Sequence, residues 1–274
     1  MTGRIGIVAG SGRLPRRLVE SCRAAGREVF VLALEGAAEP ETVRDVPHAW
    51  CRIGAAMDGL SLLRDNNVTE LVLAGSVRRP SLVALRPDWR AAKLFTRIGY
   101  RAIGDDGLLS AIVAELEGEG FRVIAPDQLL TDEIIGAGPL GAVQPTRQSQ
   151  ADIEHGLCVA QALGSLDIGQ AVIIQQGLVL GVEAIEGTDE LIRRCVPLRR
   201  EGPGGVLVKI AKPAQEHRAD RPTIGLRTMT LAAEAGLLGI AVEAGATIVL
   251  DREEVIRAAD AAGLFVVGVN PSCL

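Results

Sequence analysis

Short apolar runs alternate with longer stretches of helical spacing along the first half of the chain, a pattern that predicts a layered α/β fold. Residues 4–9 (RIGIVA), 28–33 (EVFVLA), 70–74 (ELVLA) and 121–125 (FRVIA) are continuous apolar segments of strand length. Between them, residues 14–25, 55–66 and 105–119 carry apolar positions at helical spacing. Strands apolar on both faces belong to a parallel sheet covered by helices on each side. Residues 1–130 are therefore expected to form a Rossmann-like parallel-sheet domain.

The pattern lapses over residues 131–149, where Gly136, Gly138, Pro139, Gly141 and Pro145 crowd together before a polar TRQSQ, and this stretch reads as an interdomain linker and hinge, with one long surface loop inside a single domain as the alternative. A helical pattern resumes at 150–163. Two strands follow at 171–175 and 178–182, joined by Gln176-Gly177 as a hairpin turn. Helices are expected at 188–194, 226–235 and 252–261, and strands at 205–210, 239–242, 247–250 and 264–267. Residues 150–274 thus read as a second, mixed α/β domain that does not repeat the first.

Composition narrows the function classes. The formal net charge is −5, and Tyr100, Trp50 and Trp89 are the only tyrosine and tryptophans. A chain with few stacking platforms and an acidic balance is not built for nucleic acid. Local arginine pairs (Arg16–Arg17, Arg78–Arg79, Arg193–Arg194, Arg199–Arg200) suit a single anionic ligand or, more simply, solvent. The five cysteines (Cys22, Cys51, Cys158, Cys195, Cys273) show neither disulfide-framework nor zinc spacing, as in a reducing compartment. The first residues lack the apolar run of a signal peptide, and no stretch is long and apolar enough to span a bilayer. The expected location is the cytoplasm.

Candidate chemistry lies in three places. Gly10-Ser11-Gly12 sits between a strand and a helix, as in the glycine turns that offer backbone N–H groups to a phosphate. Pro15 stands where the dinucleotide fingerprint needs its third glycine, which weakens an NAD reading, and a plain structural βα turn competes with both. Residues 209–225 are the richest: Lys209 and Lys212 leave an apolar strand, Asp220 sits in a loop, and Pro222-Thr223-Ile224-Gly225 opens a helix. Cations, a carboxylate for Mg²⁺ or water and a helix N-terminus can together hold a phosphoryl group, and a surface loop of ordinary charges is the competing account. Glu183, Glu186 and Asp189 form an acidic cluster that can ligate Mg²⁺ or start the next helix, with Thr188 as its N-cap. Asp105-Asp106 carries the same ambiguity, and no histidine pairs with a serine or cysteine as a nucleophilic triad would require.

Taken in order, IVAGSGRLP, GDDGLL (104–109), LDIGQAVIIQQGLVLGVEAIEGTDELIRR (166–194), GVLVKIAKPAQ (205–215), DRPTIG (220–225), AVEAG and GLFVVG resemble the LpxI-type UDP-2,3-diacylglucosamine pyrophosphatases from end to end. The resemblance implies Mg²⁺-assisted hydrolysis of UDP-2,3-diacylglucosamine to UMP and lipid X, with water attacking the β-phosphorus, in lipid A synthesis at the inner face of the cytoplasmic membrane. Asp220 is the acid of the family's distinctive loop; with it, Lys209 and Lys212 are the expected catalytic residues, and Gly10, Ser11, Gly12, Gln215, Thr223, Gly225 and Thr228 the expected substrate contacts. Asp220 and Glu183 are the expected metal ligands. The first domain would face the nucleotide and the second the lipid-bearing phosphate, with contact to the membrane surface and a homodimer as a candidate assembly. Arg221, Leu226 and Glu216-His217 depart from the family's usual loop, while Asp220 is retained. An NAD(P)-linked oxidoreductase and a non-enzymatic UDP-sugar sensor are the alternatives.

Overall fold

The computed structural model describes residues 3–77, 87–89, 91, 105–213 and 215–271. Arg78–Arg79, Tyr100, Gly104, Cys273 and the Asp105 and Asp106 carboxylates lie outside what is described. The chain divides into two compact units: Met1–Thr131 with Glu216–Asp220, and Asp132–Gln215 with Arg221–Leu274.

In the first unit the chain runs β1 (Arg4–Ala9), α1 (Leu14–Ala24), β2 (Val29–Leu34), β3 (His48–Cys51), α2 (Ala56–Asp65), β4 (Val68–Ala74), α3 (Asp105–Gly118) and β5 (Arg122–Val123). The strands form one sheet in the order β3-β2-β1-β4-β5, parallel throughout. The order reverses between β1 and β4, the place where open α/β sheets bind ligands beyond their strand C-termini. One face packs Phe30, Leu32 and Leu71 against Leu60 and Leu63 of α2 and Val113 of α3. Strand β3 escapes the apolar pattern because it is a sheet edge, with His48 and Trp50 exposed.

The second unit runs β6 (Gly138–Leu140), α4 (Arg147–Ser165), β7 (Ala171–Gln175), β8 (Leu178–Val182), α5 (Thr188–Cys195), β9 (Val206–Lys209), β10 (Thr223–Ile224), α6 (Leu226–Glu234), β11 (Gly239–Glu243), β12 (Ile248–Val249), α7 (Arg252–Ala262) and β13 (Phe265–Val269). Six strands form a mixed sheet, β6-β13-β11-β9-β7-β8, and β10 pairs in parallel with β12. Side chains alternate across that sheet. Val172, Ile174, Val206 and Val208 meet Ile153 and Leu157 of α4 on one face. Ile173, Leu207, Ile240 and Val242 meet Leu191 of α5, Met229 of α6 and Val255 of α7 on the other. Each such fully buried aliphatic side chain contributes roughly 1.5–3 kcal/mol. Lys209 follows Leu207 by two positions on β9, so the alternation sends it to the α5–α6 face.

The two units part after Thr131, at the start of the expected linker, but much of that stretch is built into the second unit. Gly138, Pro139 and Leu140 pair antiparallel with Gly268, Val267 and Val266, and Ile135 and Leu140 are buried in the core. A proline has no N–H to give, so a sheet edge is where a strand can carry it. Residues 136–145 therefore cannot serve as a free hinge. Helix α4 also begins before residue 150, because Thr146 Oγ1 accepts the Ser149 N–H at 3.1 Å and caps it. The hairpin at Gln176-Gly177 has both residues at positive φ, 53° and 78°, the backbone of a type I′ turn.

Candidate active site

Lys209 ends β9 with its side chain 8% exposed. Its ammonium donates to Thr188 Oγ1 at 3.1 Å and to the Thr223 carbonyl at 3.2 Å. Thr188 in turn donates its hydroxyl proton to Glu183 Oε1 at 2.7 Å, and the other Glu183 oxygen accepts the Gln170 N–H at 3.2 Å. Sheet order assembles this group. Ala171 of β7 pairs with Lys209 on one side and accepts the Glu183 N–H on the other. Among the described residues no carboxylate forms an ion pair with Lys209. An ammonium has three donors, and two neutral oxygens occupy two of them.

The loop beyond β9 is held from both ends. Lys212, also buried, pairs with Asp167 Oδ1 at 2.6 Å. Gln215 is 4% exposed, and its Oε1 accepts the Lys212 N–H at 3.0 Å. Gln215, expected as a substrate contact, thus braces the turn that presents Lys212. The Ala211 N–H is taken by Glu243 Oε2 at 2.8 Å. Thr223 gives its hydroxyl proton to Arg221 O, its carbonyl serves Lys209, and the Thr228 N–H returns to Gly225 O in the first turn of α6.

The acidic cluster disperses into separate partnerships. Glu183 is 6% exposed with both oxygens accepting hydrogen bonds, one of which holds the Thr188 hydroxyl that meets Lys209. Glu186 pairs with Arg194; burial raises its pKa, but its own backbone N–H and the Arg194 guanidinium outweigh that and hold the carboxyl below the usual range. Asp189 pairs with Arg227 at 2.6 Å, joining α5 to α6. Thr188 does not cap α5; Gly187 occupies that position, and the hydroxyl belongs to the Lys209 group. Burial pushes the Cys195 thiol up, which leaves it a core residue rather than a nucleophile.

Asp220 is half-buried and belongs to the first unit, although Arg221 beside it belongs to the second. The five residues 216–220 form a tight turn, with the Ala219 and Asp220 N–H groups both donating to Glu216 O at 2.9 Å. Ala219 packs on the core of Phe30, Leu71 and Val113. Arg218 bonds both Glu216 oxygens and pairs with Glu117 of α3 at 2.8 Å. Hydrogen bonding to Arg218 is the main reason the Glu216 carboxyl sits below the ordinary glutamate range.

The glycine turn is spent within the protein. Gly10 N–H donates to Ala74 O, Ser11 N–H to Ser76 O and Gly12 N–H to the Glu39 carboxylate at 3.0 Å. A Cβ on Gly10 would stand 2.6 Å from Ser76 O, so the glycine is there to let β1 and β4 exits close on each other. The open phosphate cradle expected of Gly10, Ser11 and Gly12 is absent; an anion reaches Gly12 only by displacing Glu39. This also removes the main support for an NAD site.

Among the described residues no three His, Cys, Asp or Glu side chains gather as a metal site. Mg²⁺ commonly keeps several waters and takes one or two carboxylates together with substrate phosphates. Asp220 is half-buried, and each Glu183 oxygen already accepts one hydrogen bond while a carboxylate has lone pairs beyond those two. Asp167 and Glu243 escaped sequence reasoning and the sequence marks Thr188 only as a helix cap, since no spacing marks residues that meet only through strand pairing.

Comparison with known proteins agrees with this layout. The LpxI N-terminal domain matches residues 4–133, and the LpxI C-terminal domain matches residues 136–267. A relative from Caulobacter vibrioides, named UDP-2,3-diacylglucosamine pyrophosphatase LpxI, is 43% identical over 275 residues, covering 98% of each chain. Among solved structures, the biotin carboxylase domain of a thermophilic 2-oxoglutarate carboxylase has a TM-score of 0.27 at 10% identity, covering 63% of this chain and 35% of that one, too slight a likeness to carry an argument. With both domain matches in sequence order and a relative aligned over nearly its whole length, this chain belongs to the LpxI family.

Proposed function

We infer that this protein is a hydrolase of lipid A biosynthesis that cleaves the pyrophosphate of UDP-2,3-diacylglucosamine, yielding UMP and lipid X. The observation that carries the reading is the Lys209 ammonium, nine-tenths buried, with two neutral acceptors and, among the described residues, no partner for its third donor. A cation so placed is costly unless an anion completes it, and a phosphate oxygen does so while gaining negative charge during hydrolysis. Lys212, fixed by Asp167, offers a second positive charge from the same loop.

The remaining roles follow from chemistry. Asp220 is assigned to the proton of the attacking water or to Mg²⁺, which it would hold; the ion would withdraw charge from a phosphoryl oxygen. Thr223, Gly225 and Thr228, at the start of α6, are assigned to the lipid-bearing phosphate, and the first unit to the nucleotide. Ile185 is fully exposed three residues before Thr188, and Leu226 is 46% exposed three residues after Thr223, which supports acyl-chain contact beside the Lys209 group. No described helix is long and apolar enough to cross a membrane. A substrate with two acyl chains is met at the cytoplasmic membrane surface, so the enzyme is assigned to the cytoplasm with peripheral contact at the inner leaflet. A homodimer is compatible with this assignment.

The test is release of UMP from UDP-2,3-diacylglucosamine by the purified protein with Mg²⁺, with excess EDTA, and with EDTA overcome by added Mg²⁺. Turnover is expected only in the first and third. Full activity in excess EDTA would remove the metal from the mechanism, and no UMP under any condition would remove the function.

A further inference from the structure

Lys209 and Glu183 are opposite charges buried on either side of one hydroxyl. They do not touch: the carboxylate receives the Thr188 proton, and the Thr188 oxygen receives the ammonium. Direct contact would be the easier way to satisfy both groups, and it would consume the positive charge. The inserted hydroxyl gives the chain a fixed direction, from Lys209 N–H to Thr188 O–H to the Glu183 carboxylate. Because Thr188 spends its only proton on Glu183, it can meet Lys209 only as an acceptor. Thr223 O takes a second N–H from another element, so two of the three donor directions of the ammonium are set.

We propose that Thr188 is a positioning residue for Lys209: it holds the ammonium at one remove from Glu183 and leaves its third N–H for a phosphate oxygen. Glu183 is part of the same device, orienting the Thr188 hydroxyl while the Gln170 N–H steadies its second oxygen. Neither residue touches the substrate in this scheme. The proposal rests on the reading of Lys209 as the phosphate's partner, and the two can fail separately.

The experiment compares kcat for UMP release in Thr188→Val, Thr188→Ala, Thr188→Ser and Lys209→Met, and in the double variant Thr188→Val/Lys209→Met, each checked by melting temperature. Removing the hydroxyl frees the ammonium from its set direction, and kcat is expected to fall roughly 10- to 100-fold in both Val and Ala variants, as when a catalytic group is displaced by about an ångström. Serine keeps the hydroxyl and restores most of the rate, which a loss of packing would not allow. In the Lys209→Met background Thr188→Val is expected to cost nothing further, since its effect passes through the missing ammonium. Wild-type kcat in folded Thr188→Val or Thr188→Ala overturns the proposal, and so does an equal loss with and without Lys209. Full activity of Lys209→Met overturns the assignment of Lys209 itself.

Discussion

Replacing Lys209 by methionine separates stability from catalysis at one position. Methionine has nearly the length of the lysine stem, so the Leu207–Lys209 face of β9 keeps its packing. Two hydrogen bonds disappear, leaving Thr188 Oγ1 and Thr223 O without the donor they now have. Each deserted acceptor costs about 1–3 kcal/mol when it stays dry. Against that, the variant no longer buries an ammonium that has no carboxylate in contact among the described residues, a burden of several kcal/mol. The two effects are of similar size and opposite sign, so folding free energy should change by less than about 2 kcal/mol in either direction. Catalysis has no such compensation. Losing one preorganised electrostatic donor typically costs about 3–4 kcal/mol in the transition state, or about 10²- to 10³-fold in kcat. Urea unfolding and initial-rate UMP release on the same preparation give both numbers. A variant that folds like the parent and keeps kcat within about threefold would refute the role of Lys209.

Asp220→Ala should leave the urea midpoint near that of the parent and lower kcat by at least about 10³-fold, measured by UMP release; more than a tenth of parental activity would make Asp220 a bystander. Asp152, 1% exposed, accepts the Gln176 and Gly177 N–H groups at 3.0 and 2.7 Å in the β7–β8 turn. Asp152→Ala should therefore cost about 2–4 kcal/mol in urea unfolding, and a loss under about 0.5 kcal/mol would show the turn holds itself. Arg218 depresses the Glu216 pKa in the folded state, so this contribution to stability is present above the unfolded glutamate value near about 4.3 and disappears as pH falls through the lower folded value. The gap in urea midpoint between the parent and Arg218→Ala should accordingly narrow below about pH 4, and a gap unchanged down to about pH 2.5 would contradict the linkage.

What the residues announced in advance was mostly what local periodicity controls. The apolar runs at β1, β2 and β4 are read correctly because parallel interior strands are apolar on both faces. The β7–β8 hairpin is legible in Gln176-Gly177 because a two-residue turn of positive φ needs such residues. Strand β6 is not legible, since Gly138-Pro139 has the composition of a linker and becomes a strand only by lying along β13. In the site, Lys209 and Asp220 stand out as charges beside an apolar strand and a Pro-Thr-Ile-Gly turn. Thr188 and Asp167 do not, because their meaning depends on partners 21 and 45 positions away. The glycine turn misled for the opposite reason: strand–glycine–helix is a real signal for a tight turn, and whether its N–H groups are open depends on Ser76 and Glu39.

The turn at residues 216–220 has a consequence for recombination between relatives. Because it is counted with the first unit while its flanks belong to the second, the chain passes from one unit to the other three times, after Thr131, Gln215 and Asp220. Neither unit is a single uninterrupted stretch of polypeptide. A chimera joined at residue 131 takes its first 131 residues from one parent and the Ala219 plug and the Arg218 partner of Glu117 from the other. Compatible chimeras must therefore inherit residues 216–220 together with the amino-terminal segment. Asp220 then travels with the half of the protein that its position in the chain would never have suggested.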